Sequence, residues 1–283
     1  MNQVRVVTDS TADLPADLRA KLGIALVPLK VNFGTESYRD GIDMNPDEFY
    51  AKLASSAELP KTSQPSPTEF QEVYERLAEQ GEGPIISIHL GSNFSGTYQS
   101  AVLAKSMVED KADVTVVDSL TASFGIGAMA IAAAEASMQG KSKDEILGLI
   151  AEVRQAMRIY FLVDTLEYLQ KGGRIGRAAA LVGSLLNIKP ILSISDDGYV
   201  ASVDKVRGQK KAMNRILELL QQEFAGKPIH LALAYSTDKT TAQELEALIA
   251  GHFEIRSVQY THLGPVIGTH VGPGTVAAFA SPA

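Results

Sequence analysis

Four short segments carry the side chains that could do chemistry, and each falls where a loop is expected. Thr62, Ser63 and Ser66 lie in Lys61-Thr62-Ser63-Gln64-Pro65-Ser66-Pro67. The two prolines push their predecessors towards extended backbone, so the hydroxyls are presented on a stiff arm. Ser66 precedes a helical pattern and reads as its cap, which leaves Thr62 and Ser63 for another purpose. In His89-Leu90-Gly91-Ser92-Asn93-Phe94-Ser95-Gly96 a strand pattern ends and a helical one begins. Free N–H groups and the helix dipole there suit an anion, with Ser92 and Ser95 as added donors and Gly96 beside them; the same residues also make a plain capped helix. Thr8-Asp9-Ser10-Thr11-Ala12-Asp13 follows the first strand, at the carboxyl edge where open parallel sheets gather ligands. Asp9, Ser10 or Thr11 either caps a helix starting near Pro15 or touches that ligand. His270 sits in the Gly/Pro-rich stretch Gly264–Thr275, read as a turn whose glycines let backbone approach something closely.

Composition removes several other chemistries. The chain has 283 residues and no cysteine, which excludes disulfides, thiolate metal sites and cysteine nucleophiles. Five scattered histidines show no zinc spacing, so no metal and no cofactor are expected. Neither Gly-x-x-x-x-Gly-Lys-Ser/Thr nor a strand-linked Gly-x-Gly-x-x-Gly is present, which argues against a nucleotide module. Gly-x-Ser-x-Gly is also missing around Ser95. Thirty-three acidic against 26 basic residues give a net charge of −7, unsuited to a general nucleic-acid or membrane-surface binder. The most apolar window, Ala122–Ala136, is too short and too weakly hydrophobic to span a membrane. The N-terminal residues show no signal peptide, so a cytoplasmic location is expected and Asn93-Phe94-Ser95 is dismissed as a glycosylation site.

The elements that must position these residues alternate. Strand patterns at Val4–Thr8, Ile24–Phe33, Pro84–Leu90 and Val114–Asp118 are interleaved with helical ones at Pro15–Leu22, Pro46–Ala54, Pro67–Glu79, Ser95–Val108, Ala122–Gln139 and Lys143–Met157. Such alternation predicts a parallel sheet covered on both faces. Beyond Arg158 the pattern changes: a strand at Tyr160–Val163, a short helix, a break at Lys171–Arg174 and a helix near Ala178–Leu186. Strands Asn187–Ser195 and Tyr199–Val206 then flank Asp196-Asp197-Gly198, a hairpin signal. Helices at Gln209–Phe224 and Thr240–Gly251 and strands at Ile229–Tyr235, Glu254–Thr261 and Val276–Phe279 complete a mixed sheet. The fold class is α/β, with domains expected at 1–158 and 159–283. Phe33, Ile126, Met129 and Leu166 read as core.

Five segments, TDSTADLP (8–15), KTSQPSP (61–67), GSNFSGTYQSA (91–101), DTLEYLQKGGRIGR (164–177) and IGTHVGPGT (267–275), occur in the order of the DegV family, which the chain resembles over nearly its whole length. Many members begin the third segment with two serines, where this chain has Gly91. The resemblance implies an N-terminal α/β/α domain with a parallel sheet, a C-terminal α/β domain with a mixed sheet, and one long-chain fatty acid in a tunnel at or near their interface. It assigns the carboxylate to Thr62, His270 and one of Ser92 or Ser95, with Ser63, Ser10 and Gly96 as secondary candidates. Burying about 14 methylenes at ~0.8 kcal/mol each would hold such a lipid without a strong head-group contact.

The same resemblance implies a carrier rather than an enzyme: a separate ATP-binding fatty acid kinase converts the bound acid to an acyl phosphate. Basic residues at Lys171, Arg174 and Arg177, and at Lys205, Arg207, Lys210 and Lys211, are the expected docking points, or else a solvated face and a helix-dipole complement. The competing readings are a Ser/His hydrolase using Ser95 and His270, and a relative of small-hydroxyketone kinases.

Overall fold

The computed structural model describes residues 3–81, 83–183 and 188–283. In chain order the elements are β1 (Arg5–Asp9), α1 (Ala16–Leu22), β2 (Ala25–Val27), β3 (Lys30–Phe33), β4 (Glu36–Arg39), α2 (Pro46–Ser55), β5 (Lys61–Ser63), α3 (Pro67–Glu79), β6 (Ile85–His89), α4 (Thr97–Met107), β7 (Val114–Asp118), α5 (Phe124–Met138) and α6 (Lys143–Ala156). There follow β8 (Arg158–Leu162), α7 (Glu167–Lys171), β9 (Ile188–Ile194), β10 (Val200–Arg207), α8 (Gln209–Phe224), β11 (Ile229–Tyr235), α9 (Thr240–Ala250), β12 (Ile255–His262), α10 (Pro265–Val271) and β13 (Val276–Pro282). They form two compact units. One comprises the residues through Met44 with Pro60–Gln155, the other Asn45–Leu59 with Ala156–Ala283.

The first unit is built on a parallel sheet in the order β2-β1-β6-β7. β6 is apolar and buried along its length apart from two polar side chains, as a strand covered on both faces must be. Val7, Ile85 and Val114 meet Phe70, Val73, Tyr74 and Leu77 of α3 and Ala101 and Ala104 of α4. The Ala- and Gly-rich α5 packs against β1 and β6. Gly127 there has Ala12 O 2.9 Å from where its Cβ would stand, so only a bare backbone fits this closely. α3 opens with Pro67 at its first turn behind a capping box of Ser66 and Glu69, as its sequence predicts.

Two features of this unit differ from the sequence pattern. Ile24–Phe33 is not one strand: Pro28 interrupts it, β2 joins the parallel sheet, and β3 turns away into an antiparallel sheet ordered β4-β3-β5. The Lys61–Ser63 arm is itself a strand, pairing Val31 with Thr62 and Lys30 with Ser63.

The second unit carries a mixed sheet in the order β10-β9-β8-β13-β11-β12, in which β11 and β12 run parallel and the other pairs antiparallel. The Asp-Gly hairpin forms between β9 and β10, with Gly198 at φ 80°. β13 continues past Phe279 to Pro282 and lies inside the sheet between β8 and β11. α8 and α9 bury Ile216, Leu217, Leu220, Leu245 and Ile249 against it. α2 belongs to this unit because Tyr50 donates to Leu263 O at 3.2 Å and stacks on His262. The expected helix at Ala178–Leu186 is a 3₁₀ helix over Gly176–Leu181; its positions 184–186, and Asn187 of the next strand, lie outside the described residues. Among the described residues no helix is long and apolar enough to cross a membrane.

Candidate functional site

The carboxyl edge of the first unit's parallel sheet is tied together by two aspartates. Asp9 ends β1 and has no exposed surface. One carboxylate oxygen accepts Thr11 N–H at 3.0 Å; the other accepts Leu90 N–H at 2.9 Å and lies 3.0 Å from His89 Nδ1. A carboxylate can only accept, so the proton of that contact belongs to His89 Nδ1. Tyr74 donates to Ser87 Oγ at 2.8 Å, and Ser87 Oγ lies 2.6 Å from His89 Nε2. In the neutral ring Nε2 is then the acceptor, so Ser87 donates to it and the hydrogen bonds run from Tyr74 to Ser87 to His89 to Asp9. Burial pushes the Tyr74 phenol well above its ordinary pKa, keeping it a donor.

A serine, histidine and aspartate in hydrogen-bonded series is the arrangement of a hydrolase. Here Ser87, His89 and Asp9 are all 0% exposed, so no substrate reaches the hydroxyl. The chain is a clamp that joins the ends of β1 and β6. Asp9 thus caps the short 3₁₀ helix Ser10–Ala12, not the helix after Pro15, whose start has no side-chain cap. Ser10 Oγ accepts Leu29 N–H at 3.0 Å, which fixes the turn between β2 and β3.

Asp118, at the end of β7, holds the other side of the Ser92 loop. Its Oδ1 accepts Ser92 N–H at 3.1 Å and Leu120 N–H at 3.0 Å. Gly91 N–H goes to Thr121 O and Phe94 N–H to Gly91 O. The N–H groups expected to be free for an anion are therefore partly taken by the protein itself. Gly91 is needed for space: a Cβ would stand 3.0 Å from Thr121 N and 3.1 Å from Leu120 Cα. Three non-glycine residues with positive φ sit in these edge loops, Asp13 at 51°, Leu120 at 50° and Ser123 at 54°. Ser123 donates to Asp13 at 2.5 Å, so two strained residues stabilise one another beside the site.

On this frame Thr62 is half-buried in β5, and Ser63 is exposed with Asn32 Nδ2 at 3.4 Å. Ser95 Oγ contacts Thr97 Oγ1 at 2.9 Å and accepts Thr97 N–H at 3.3 Å, just ahead of α4, whose N-cap is Gly96. Arm and loop meet through Gln64, a residue the sequence pattern does not single out. Its Nε2 donates to Ser100 Oγ at 3.3 Å, and its amide lies over Gly96, where a Cβ would stand 2.6 Å from Nε2. The first unit thus brings Thr62, Ser63, Ser92, Ser95 and Gly96 onto neighbouring segments.

His270 belongs to the second unit, and the stretch read as a turn is in part the helix α10, with His270 in its last turn. Burial, helped by the charge of Arg174, holds its imidazole down at about 4, so the ring is neutral at pH 7. The nearby glycines do permit close approach, but of the protein to itself. A Cβ on Gly172 would collide with His270 Nδ1, one on Gly272 with the Tyr168 ring and one on Gly274 with the Asp164 carboxylate.

The basic stretches lie in the same unit. Gly176, at φ 52°, approaches β10 so closely that a Cβ would stand 2.6 Å from Val200 O, which sets the Lys171–Arg177 segment beside the strand carrying Lys205 and Arg207. Lys171 pairs with Glu167 at 2.5 Å, and Arg177 pairs with Asp197 and lies over the Tyr199 ring. Lys205 and Arg207 are exposed, as are Lys210 and Lys211. Phe33, Ile126, Met129 and Leu166 are buried. Among the described residues no group of three or more histidines and carboxylates could hold a metal ion.

Comparison with known proteins matches this architecture over its length. A DegV domain-containing protein, TTE1491, of Caldanaerobacter subterraneus subsp. tengcongensis is 39% identical over 282 residues, 99% of each chain. The solved DegV family protein of Thermus thermophilus, described for its fatty acid binding, superimposes with a TM-score of 0.92 at 39% identity, covering 99% of this chain and 100% of that one. Bacillus subtilis DegV, described as a fatty acid binding protein, gives 0.91 at 37% identity with 100% of both chains covered. With the family pattern matched across residues 3–283, this chain belongs to the DegV family.

Proposed function

We propose that this chain binds one long-chain fatty acid in the cytoplasm and presents its carboxylate to a separate ATP-dependent fatty acid kinase, which forms the acyl phosphate. The observation that carries the reading is the full-length likeness in sequence and fold to the Thermus thermophilus protein, which is described for its fatty acid binding. The local chemistry agrees with it. Thr62, Ser92 and Ser95 offer hydroxyls and no full charge, and they lie on the two segments that Gln64 joins. We assign the carboxylate to these hydroxyls, with Ser63, Ser10 and Gly96 as secondary contacts. Ser10 already accepts from Leu29, which leaves its own proton to give. His270 is assigned the same role from its position in the family segment; held neutral, it adds a donor without a counter-charge.

A carboxylate bound by neutral donors keeps an oxygen nucleophilic. In the proposed step that oxygen forms a bond to the γ-phosphorus of the kinase's ATP, the bond from γ-phosphorus to the β-phosphate oxygen breaks, and ADP leaves. The carrier contributes no acid or base to this transfer. Lys171, Arg174, Arg177, Lys205 and Arg207 are the docking points, brought onto neighbouring elements where Gly176 meets β10.

Native mass spectrometry of the protein purified from a bacterial host tests the reading. One long-chain acid per chain is the expected added mass, and a bare chain that also takes up no oleic acid overturns it. With the kinase and ATP supplied, Thr62→Ala and Ser95→Ala should each slow acyl phosphate formation. Unchanged rates in both would overturn the head-group assignment.

A further inference from the structure

We propose that Gln64 is a positioning residue that sets the spacing between the Thr62 strand and the Ser92–Ser95 loop, and so the preference of the site for a carboxylate over an uncharged head group. The inference rests on the fatty-acid reading above and concerns only the first unit.

Three observations carry it. First, Gly96 has φ −74° and ψ 9°, a backbone conformation open to any residue, so its glycine is not required by the chain. The bare backbone instead gives room to Gln64, whose amide fills the space a Cβ would take, with Cδ 2.7 Å from that position, so a Cβ there displaces the amide. Second, the amide spans two segments. Gln64 follows β5 directly and precedes Pro65, while its Nε2 reaches Ser100 in the first turns of α4. Third, the two ends of the arm are already fixed. β5 is paired to β3, and Ser66 is held in the capping box with Glu69, which also pairs with Lys30 at 2.9 Å. Between these fixed ends Gln64 reaches from the arm to α4 and lies over the start of that helix at Gly96, beside Ser95.

Gln64 is an exposed residue, so packing in the core does not explain why it folds over a glycine. Its stability contribution is correspondingly small, whereas a change of a few tenths of an ångström between two hydroxyl donors alters a bidentate contact to a carboxylate. A single hydroxyl head group needs only one donor and is insensitive to that spacing.

The test uses the full chain stripped of lipid, with cis-parinaric acid as fluorescent probe and oleic acid and oleyl alcohol as competitors. In the wild type the acid should displace the probe at lower concentration than the alcohol. Gln64→Ala should lower this acid-over-alcohol preference about fivefold, the loss of one hydrogen bond's worth of alignment, with the thermal midpoint moving by less than about 2 °C. Gly96→Ala should reproduce the effect by displacing the amide, and Gln64→Ala with Gly96→Ala should be no worse than Gln64→Ala alone, since both remove one latch. A Gln64→Ala protein with the wild-type preference overturns the proposal. So does an equal loss of both ligands with a fall in midpoint, which marks a merely structural role, or additive effects in the double variant. A wild type that binds neither ligand refutes the fatty-acid reading itself, whereas one that binds both equally leaves that reading standing and overturns the role given to Gln64.

Discussion

Acidification from pH 7 to pH 4 should weaken the fold by about 3 kcal/mol through His270 alone. Burial is the larger cause and the Arg174 charge the smaller; together they hold the ring at about 4, against an ordinary value of 6.5. The gap of roughly 2.5 pH units corresponds to ~3.5 kcal/mol at about 1.4 kcal/mol per unit, of which ~3 is expressed by pH 4, where the folded ring is half protonated. Between those two values the unfolded chain takes up a proton that the folded one refuses. Stability from this group is therefore full above pH 6.5, falls as pH drops through the window to 4, and levels off about a unit below it. His270→Leu removes the titrating ring and so removes this part of the pH dependence, while every carboxylate titrates alike in both proteins and cancels. Urea unfolding followed by far-ultraviolet circular dichroism at pH 7, 6, 5 and 4 gives the two curves. Wild type should lose ~3 kcal/mol more than His270→Leu across that range. Parallel curves, or a His270 ring proton resonance that titrates near 6.5, would refute the reasoning.

Asp9→Ala strips the acceptor from four buried donors, Thr11 N–H, the Thr11 hydroxyl, Leu90 N–H and His89 Nδ1–H, and should lower stability by about 4 kcal/mol, read as a urea midpoint. A loss below ~1 kcal/mol would show that the clamp is not what joins β1 to β6. Gly272→Ala combines a glycine-only backbone, φ 75° and ψ 177°, with a Cβ 2.6 Å from Tyr168 Cε2; it should cost at least ~2 kcal/mol, and an unchanged melting midpoint contradicts this. Arg207→Glu, on the exposed edge of the second unit's sheet, should slow phosphorylation of the bound acid by the kinase about tenfold or more while the co-purifying lipid stays at one per chain. Equal loss of lipid and phosphorylation would argue against docking there.

The sequence makes the parallel sheet legible because its information is local. Each strand of β1, β6 and β7 is a short apolar run, and a helical stretch follows each. Pro67 behind Ser66 and Glu69 marks the start of α3 before any tertiary contact is known. The antiparallel sheet is not legible in the same way. β3, β4 and β5 are four, four and three residues long, too short for alternation to show, and they are recognised only once Val31 meets both Tyr38 and Thr62. α10 hides for a different reason. Gly264, Gly268 and Gly272 suggest a turn, yet Gly268 is there because Phe49 and Tyr50 press against it, with Tyr50 Oη 2.6 Å from its Cβ position. That contact joins residues more than 200 apart in the chain, and no window along the sequence contains it.

The site motifs divide along the same line. Hydroxyls such as Thr62 and Ser95 announce themselves by type, whereas the carboxylates that hold the Ser92 loop look like ordinary strand ends. One signal was available: Ser87 and His89 are two residues apart in an otherwise apolar strand, so both point to one face of a sheet buried on both sides. Polar side chains there must satisfy one another or find a partner, and Asp9, at the end of the neighbouring strand, is the acceptor that closes the set. Within segment 8–13 Asp9 is therefore scaffold, and the loop after β6 is held from below by Asp9 and from the side by Asp118. Two carboxylates of the protein are committed to backbone N–H groups within the same loop. On the reading proposed above, in which an incoming carboxylate meets the hydroxyl set, head-group selectivity should follow the spacing of Thr62, Ser92 and Ser95.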